Sequence, residues 1–385
     1  MGSCRSRNDE KSFERVPAIT LGVMNHPGRI RALRGQMHKQ GIDSMLITHL
    51  PDVRYLCGFT GSNAALAVTP KRAAMFTDGR YTSQAKEETQ GARVVIAKKS
   101  ALREACAWLE GSGLAQAYFD PQQTTFAALT MMREAVSKSK RRSFFQALKT
   151  PLVSELRMAK DSDELLLMEQ AALLGCHLFA AVLPHIQAGV PESEIAADLE
   201  FFARSMGAEG MSFETIVASG KRSAFPHGRA TTAKVPGRGF VTLDFGVILN
   251  GYCSDMTRTV HMGKPGREEQ FAYEAVLEAQ EAAVAAAKPG ATCGEVDEAA
   301  RSVLRKARLD KYFTHSTGHG VGIEIHESPR VAAGQEQALA PGMVITIEPG
   351  VYIEGKFGIR IEDMVAVTKS GGKILTPAPK AMIQL

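Results

Sequence analysis

Four carboxylates and one imidazole in the second half of the 385-residue chain constrain its fold more than any other feature. A folded core does not hold so many acidic groups without cations, because burying an unpaired carboxylate is costly. Carboxylate-rich sites select divalent ions such as Mn²⁺, Co²⁺ or Zn²⁺, and a closely spaced pair of ions is a recurrent hydrolytic device. The spacing therefore predicts a two-metal hydrolytic site. Its five ligands are Asp244, Asp255, His319, Glu348 and Glu362.

The two aspartates lie on the arms of a predicted β-hairpin. Residues 240–249 and 252–260 read as strands around an Asn-Gly step, which is a strong signal for a two-residue turn. The register that this turn sets makes Asp244 and Asp255 diagonal neighbours on one face of the hairpin. We expect Gly246, opposite Asp255, to leave the space between the two carboxylates open.

The two glutamates are expected on a second pair of strands. Residues 344–348 and 358–367 flank a glycine-containing loop, and the symmetric register puts Glu348 opposite Glu362. Arg360 lies two residues before Glu362 and therefore shares its face. A Pro-Gly step directly after the first strand allows this pairing to shift by one residue, so the spacing alone does not fix it.

A glycine-rich segment supplies the histidines. Residues 314–327 read THSTGHGVGIEIHE, and we expect the alternate glycines to let the backbone approach a ligand closely. The metal takes one imidazole, that of His319. His315 and His326 then stay free to donate to a carbonyl oxygen or to carry a proton. His227, in the loop sequence FPHG, is a further candidate.

Together these motifs resemble the metallopeptidase family of Xaa-Pro aminopeptidases and prolidases. The segments LDFG, SDMTRT, STGHGVGIEIHE, ITIEPGVY and GIRIED carry the resemblance, which extends from about residue 158 to the end. The resemblance implies a catalytic domain with the pita-bread fold. The upstream segments PDVRYLCGFTGSNAALAVT and FTDGRY are similar to the creatinase-like N-terminal domain of aminopeptidase P.

The resemblance also implies a role for each acidic ligand. Asp255 and Glu362 bridge the two ions, whereas Asp244, His319 and Glu348 complete the coordination. Glu348 is then the candidate base that accepts a proton and passes it toward the leaving nitrogen. Asp244 meets the free amine of the substrate and confines cleavage to the first peptide bond.

Four further side chains receive roles from the same resemblance. His326 faces the substrate carbonyl, where it stabilises the oxyanion. His227 and His315 line the proline side of the scissile bond. Arg360, with Tyr352, resembles a pair that orients the metal ligands.

The predicted fold class is α/β (α+β), with an N-terminal α/β creatinase-like domain before the pita-bread domain. The predicted divisions are a disordered extension over 1–23, the N-terminal domain over 24–150, a linker over 151–160 and the catalytic domain over 161–385. A long helix is expected to begin after Asp161 or Ser162 and to end near residue 184. The other predicted elements are helices at 28–40, 83–89, 102–110 and 126–137 and strands at 44–48, 64–68 and 73–76.

The substrate is predicted to be a proline-containing peptide, with two readings of its length. Aminopeptidase P removes one residue from peptides of varied length, whereas prolidase needs a dipeptide. The segments FTGSN and TDGRY favour the aminopeptidase. Two other classes stay open: a creatinase-like hydrolase that works without metal, and a non-catalytic pita-bread binding protein. Neither is expected to keep all five ligands.

Composition limits the partners and the compartment. A formal charge of +5 is too small and dispersed to argue for nucleic acid. Six cysteines without a CxxC pair or a disulfide-dense pattern favour a reducing compartment, and so a cytoplasmic protein. No run reaches about 18 apolar residues, so no membrane span is expected. A homodimer and two Mn²⁺ ions, with Co²⁺ or Zn²⁺ as alternatives, complete the expectations.

Overall fold

A computed structural model of the protein describes residues 24–385. The predicted extension over residues 1–23 lies outside the described residues. The described chain divides into two compact units, one that ends at Met158 and one that spans Ala159–Leu385. Each unit has its own sheets and its own apolar core.

The N-terminal unit is a six-stranded mixed sheet with helices. The strand order is β4-β3-β2-β1-β5-β6, and β1 pairs antiparallel with β2 and parallel with β5. The strands are β1 (Met45–Ile47), β2 (Ala65–Val68), β3 (Ala73–Thr77), β4 (Arg93–Ile96), β5 (Ala117–Phe119) and β6 (Phe145–Ala147). The helices are α1 (His26–Lys39), α2 (Leu50–Cys57), α3 (Thr82–Glu88), α4 (Ala101–Glu110), α5 (Phe126–Glu134) and α6 (Leu152–Met158).

All seven elements predicted for this unit are present, and five others were not predicted. The missed strands β4, β5 and β6 have three or four residues each, which is too short to show a period-2 pattern. Helix α2 has a Pro in its first turn and only 8 residues, which is too short to show a clear helical period. The segment 151–160, predicted as a linker, contains α6, whose Leu152 and Val153 are buried.

The C-terminal unit combines four sheets with four helices. Its strands form the orders β11-β10-β7, β12-β9-β8, β14-β13-β15-β18-β19 and β16-β17. The helices are α7 (Ser162–Val182), α8 (Glu192–Ser205), α9 (Arg267–Ala286) and α10 (Cys293–Lys306). The strands are β7 (Gly210–Met211), β8 (Ile216–Ser219), β9 (Gly239–Phe245), β10 (Val247–Leu249), β11 (Tyr252–Cys253), β12 (Met256–Met262), β13 (Gly318–Gly320), β14 (Glu327–Val331), β15 (Val344–Ile347), β16 (Gly350–Ile353), β17 (Phe357–Arg360), β18 (Asp363–Thr368) and β19 (Gly371–Ile374).

Helix α7 begins at a capping box. The Asp161 side chain accepts from the backbone N–H groups of Asp163 and Glu164. Of the two predicted caps, Asp161 is therefore the one present. The segment Ser162–His185 is long and apolar enough, by length and composition alone, to cross a membrane, with a mean hydropathy of 1.7. No membrane span was expected from the sequence, because that expectation required an uninterrupted run of apolar residues. The segment passes here because a window with a few charged residues is also accepted. The evidence is weak, because 56% of that window is buried in the protein, as in a core helix.

The predicted hairpin register is confirmed. Asn250 and Gly251 have φ values of 49° and 78°, as a two-residue turn with two left-handed positions requires. Asp244 on β9 lies opposite Thr257 on β12, which makes Asp255 its diagonal neighbour. The register for the second pair of strands also holds.

The second register is visible on both sides of the two glutamates. Ile347 on β15 lies opposite Asp363 on β18, and Gly350 on β16 lies opposite Arg360 on β17. Both pairs obey the same symmetric register, so the Pro-Gly step causes no slip. The glutamates lie between the two ladders, at the point where the chain passes from one sheet to the other.

Gly246 and Gly318 let neighbouring strands approach each other closely. A Cβ on Gly246 would lie 1.8 Å from the carbonyl oxygen of Ser254, so the expected open space is filled by backbone. A Cβ on Gly318 would lie 1.9 Å from the carbonyl oxygen of Thr346. The open space predicted beside Gly246 is therefore wrong, whereas the approach of a ligand to the glycines of the histidine segment stays a prediction.

Substitution of Gly246 tests this packing. We expect Gly246→Ala to lower the free energy of unfolding by about 1–3 kcal/mol, because the methyl group forces the two backbones apart. The matched control is Gly237→Ala, since a Cβ there meets no atom within 4 Å. Urea denaturation measures both variants. Equal stability of the two variants would contradict the close approach.

Candidate metal centre

The predicted ligands meet at one cavity of the C-terminal unit. The cavity has a volume of about 310 Å³, and His227 and His326 line it together with all five ligands. Two ligands lie on strands β9 and β13, one directly follows β15, and two directly precede β12 and β18. The five are Asp244, Asp255, His319, Glu348 and Glu362.

His319 is oriented as a ligand. Its Nδ1 donates to the carbonyl oxygen of Gly320 at 2.9 Å, which leaves Nε2 as the nitrogen with a free lone pair. Nε2 lies 3.5 Å from Asp255 Oδ2 and 3.6 Å from Glu348 Oε1. One ligand atom each from Asp255, His319 and Glu362 lie within 4.8 Å of one another. This separation suits donors that share a cation.

The charges of the site also call for cations. Burial and the repulsion of Glu362 raise the pKa of Asp255 well above its usual value. Burial and the repulsion of Glu348 do the same to Glu362, and burial raises the pKa of Glu348 to about 8. Asp244 Oδ1 is buried without a hydrogen-bond partner. An oxygen-rich donor set with excess negative charge and an unsatisfied oxygen fits divalent cations.

Arg360 connects two of the ligands. Its side chain is buried, and its Nη2 donates to Asp244 Oδ2 at 2.5 Å while its Nη1 donates to the Tyr352 hydroxyl at 2.6 Å. Its Nε donates to Thr257 Oγ1, which in turn donates to Glu362 Oε2 at 2.7 Å. The predicted contact between Arg360 and Tyr352 is therefore present. Arg360 also holds one oxygen of Asp244 directly and one oxygen of Glu362 through Thr257.

His315 has a different place from the one expected. His315 is not one of the described residues that line the cavity. Its Nδ1 donates to the carbonyl oxygen of Ser316 at 2.8 Å, so its Nε2 accepts from the Tyr352 hydroxyl at 2.9 Å. Burial and the charge of Arg360 lower the pKa of His315 to about 4. A neutral ring with both nitrogens engaged is not free to carry a proton.

Asp297 and Arg301 on α10 hold the histidine segment, and the sequence did not reveal them. Asp297 Oδ1 accepts from Thr317 Oγ1 at 2.7 Å, and Arg301 Nη2 donates to the carbonyl oxygen of His315 at 2.6 Å. The guanidinium carbon of Arg301 also lies 4.3 Å from the ring centre of Phe313. An Asp-Arg pair four residues apart on a helix reads as a surface ion pair, which hid this role.

A buried glutamate closes the loop that carries His227. Glu192 Oε1 accepts from the Ser219 N–H at 2.8 Å, and Glu192 Oε2 accepts from the Thr231 N–H at 3.2 Å. Arg222 Nε lies 3.0 Å from Glu192 Oε2. One carboxylate thus holds both ends of the loop. A glutamate in the first turn of a helix is common enough to carry no signal in sequence.

The remaining cavity wall is partly apolar and partly charged. Phe213, Ile216 and Ile325 supply the apolar part. Glu214 and Arg229 also line the cavity, and their side chains form an exposed ion pair of 2.9 Å. The cavity therefore offers an apolar surface next to acidic groups and one guanidinium.

Two family models match this chain. Residues 167–369 match the model described as metallopeptidase family M24, and residues 29–159 match the creatinase/prolidase N-terminal domain. A protein of Pyrococcus horikoshii named Xaa-Pro dipeptidase is 34% identical over 94% of this chain and 100% of its own length.

Two solved structures resemble most of the chain. The Xaa-Pro dipeptidase from Bacillus anthracis is 38% identical, with a TM-score of 0.90 over 94% of this chain and 100% of that chain. The X-Pro aminopeptidase from Thermotoga maritima is 35% identical, with a TM-score of 0.83 over 91% of this chain and 100% of that chain. These similarities cover both units.

We expect the metal-free protein to lose stability as the pH rises from 7 to 8. Folded Glu348, with a pKa of about 8, keeps a proton that the unfolded chain has released, so rising pH favours unfolding. His315 and His319, with pKa values of about 4 when folded, are largely neutral in both states over this range. Thermal denaturation with a chelator measures the trend. A melting temperature that rises from pH 7 to 8 would contradict it.

Proposed function

Because the chain belongs to metallopeptidase family M24, we propose that it hydrolyses the bond between an N-terminal residue and a following proline. The catalytic unit has the pita-bread fold of the prolidases and X-Pro aminopeptidase that it resembles. The observation that carries the proposal is the convergence of all five ligands with His227 and His326 on one cavity. A metal-independent creatinase-like enzyme or a binding protein has no need for the full ligand set.

The proposed cofactor is a pair of divalent ions, with Mn²⁺ first and Co²⁺ or Zn²⁺ as alternatives. The oxygen-rich donor set supports Mn²⁺, and His319 is compatible with all three ions. Asp255 and Glu362 each offer a carboxylate oxygen within 4.8 Å of the other and of a His319 nitrogen, and they are the proposed bridges by resemblance to the family. Divalent ions at such a site supply Lewis-acid polarisation of a peptide carbonyl and acidify water.

Glu348 and His326 are the proposed proton-handling residues. The carboxylate of Glu348 lines the cavity beside the other ligands, where it can accept a proton and pass it toward the leaving nitrogen. The ring of His326 lies on the cavity, 4.5 Å from the ring of His319. From there it can donate to the oxygen that gains charge as the carbonyl is attacked.

Asp244 is the proposed anchor for the substrate amine. Arg360 holds one of its oxygens, and the other is buried without a hydrogen-bond partner. An ammonium group at this oxygen gains a charged hydrogen bond, which an internal peptide nitrogen cannot provide. This difference would restrict cleavage to the first bond of the chain.

The proline side of the scissile bond is assigned to His227. Proline has a tertiary amide without an N–H and a ring that must fit the cavity wall. His227 lines the cavity on a loop that Glu192 holds at both ends. His315 supports this region indirectly, since its ring contacts Tyr352, which contacts Arg360.

Xaa-Pro aminopeptidase is the first candidate and prolidase the second. The N-terminal segments FTGSN and TDGRY support the aminopeptidase, as does the likeness to the Thermotoga maritima structure. The names of the relatives from Pyrococcus horikoshii and Bacillus anthracis, both Xaa-Pro dipeptidase, support prolidase. Both candidates share the same metal centre and the same bond.

The cellular location, the oligomeric state and the partners of the enzyme are also proposals. A cytoplasmic location is supported by the six cysteines, which have neither a CxxC pair nor a disulfide-dense pattern in the sequence. A homodimer follows from the resemblance to the family. A substrate of short peptides, without nucleic acid or membrane partners, agrees with the small formal charge of +5.

Asp255→Ala tests the proposed reaction. In Mn²⁺, we expect the wild-type protein to cleave Leu-Pro substrates and not the matched Leu-Ala substrates. The variant should lose metal binding and at least about a thousandfold in turnover, because it removes a central ligand. The exposed Asp43→Ala is the control, and thermal denaturation checks the fold. Full activity of Asp255→Ala, or wild-type activity that survives removal of metals, would contradict the proposal.

A further inference from the structure

The loop that carries His326 is irregular. Residues 321–326 connect β13 to β14 and form neither helix nor strand. The residue His326 is exposed and lines the cavity. A ring that stabilises an oxyanion must lie at a fixed distance from the attacked carbonyl, and a displacement of about 1 Å can cost about a hundredfold in rate. Contacts outside the regular sheet must therefore hold this loop in place.

The side chain of Glu327 closes the loop. Its Oε1 accepts from the backbone N–H of Glu324 at 3.1 Å, and the carbonyl oxygen of Glu324 accepts from the N–H of Gly322 at 3.0 Å. A Cβ on Gly322 would lie 2.6 Å from Glu327 Oε2, so the carboxylate packs directly against this part of the backbone. His326 lies between the residues that this carboxylate holds together.

A buried lysine holds the carboxylate. Lys160 Nζ lies 3.3 Å from Glu327 Oε2, and the two side chains are only 1% and 7% exposed. Two opposite charges attract each other more strongly in the protein interior than in water. Removal of one charge from a buried pair is costly, because the other charge stays buried. The pair therefore fixes the position of the carboxylate more firmly than an exposed ion pair would.

The backbone of Lys160 is tied to the sheet of the metal centre. Its N–H donates to the carbonyl oxygen of Gly342 at 2.8 Å, and Ala159 pairs with Met343 through an isolated bridge. Met343 directly precedes β15, which pairs with β13, and two of the metal ligands lie on or directly after these strands. Lys160 thus connects the strands of the metal ligands to the loop of His326.

We propose that the Lys160–Glu327 ion pair is a positioning pair, which holds the His326 ring at the distance from the metal ligands that oxyanion stabilisation requires. Neither member of the pair is among the described residues that line the cavity, so both act through His326. The inference rests on the proposed function, in which His326 stabilises the oxyanion. It gives a catalytic purpose to a lysine at the end of the segment that was predicted to be a linker.

The kinetic test is a double-mutant cycle on the Mn²⁺-loaded enzyme, with Leu-Pro and Leu-Pro-Gly as substrates. Glu327→Gln keeps the size of the side chain and removes its charge. We expect it to lower kcat by about tenfold or more and to change KM less than about twofold, because the oxyanion exists only in the transition state. In the His326→Ala background, the same change should have no further effect on kcat, since the ring that the pair positions is absent.

The matched control is Glu269→Gln. Glu269 Oε2 accepts from the N–H of Gly266, three residues earlier, and Glu269 pairs with Arg238. This variant should keep the wild-type kcat. Thermal denaturation measures the stability of each variant. If Glu327→Gln does not fold, the double variant Lys160→Met/Glu327→Gln replaces it, because it removes both buried charges, and it should show the same loss of kcat.

Hydrogen exchange measured by mass spectrometry on the metal-free protein separates this inference from the proposed reaction. Peptides that cover residues 321–327 should exchange at least about twofold faster in Glu327→Gln than in the wild type, and at the wild-type rate in Glu269→Gln. Faster exchange supports the inference even if the wild type cleaves no peptide, in which case only the proposed function fails. Unchanged exchange in Glu327→Gln, a wild-type kcat, or the same loss of kcat with and without the His326 ring would overturn the inference.

Discussion

The mutual repulsion of buried carboxylates around one cavity is the interaction on which the rest of the catalytic unit depends. Burial and repulsion raise the pKa of Asp255 and Glu362 well above their usual values. Arg360 offsets part of this charge through Asp244, and Thr257 satisfies one oxygen of Glu362. These contacts leave the site short of positive charge, which is the condition under which divalent ions bind strongly and assist hydrolysis.

The register of the strands determines which acidic side chains lie close together, and the sequence predicts this register well. The positive φ angles of Asn250 and Gly251 fix the first hairpin, which makes Asp244 and Asp255 neighbours. The same reasoning from spacing succeeds for Glu348 and Glu362, because a two-residue turn or a short loop leaves few alternative pairings. Local chemistry was therefore sufficient to predict which acids meet.

What the sequence could not predict depends on contacts between distant segments. Gly246 accommodates the Ser254 backbone, a role that spacing cannot distinguish from an open gap. The ring of His315 is bound by Tyr352, so a histidine in a glycine-rich motif was mistaken for a free proton carrier. Glu192 and Arg229 lie outside any motif, and only the folded loop shows that they shape the cavity.

The most direct test of the central claim is a calorimetric titration of Mn²⁺ into metal-free protein at pH 7. Repeating it in buffers of different ionisation enthalpy gives the number of ions bound and the protons released. We expect two ions per chain and a net release of protons, because burial raises the pKa of Glu348 to about 8 and the ions displace such protons. Binding of no ion, or binding without proton release, would contradict this account.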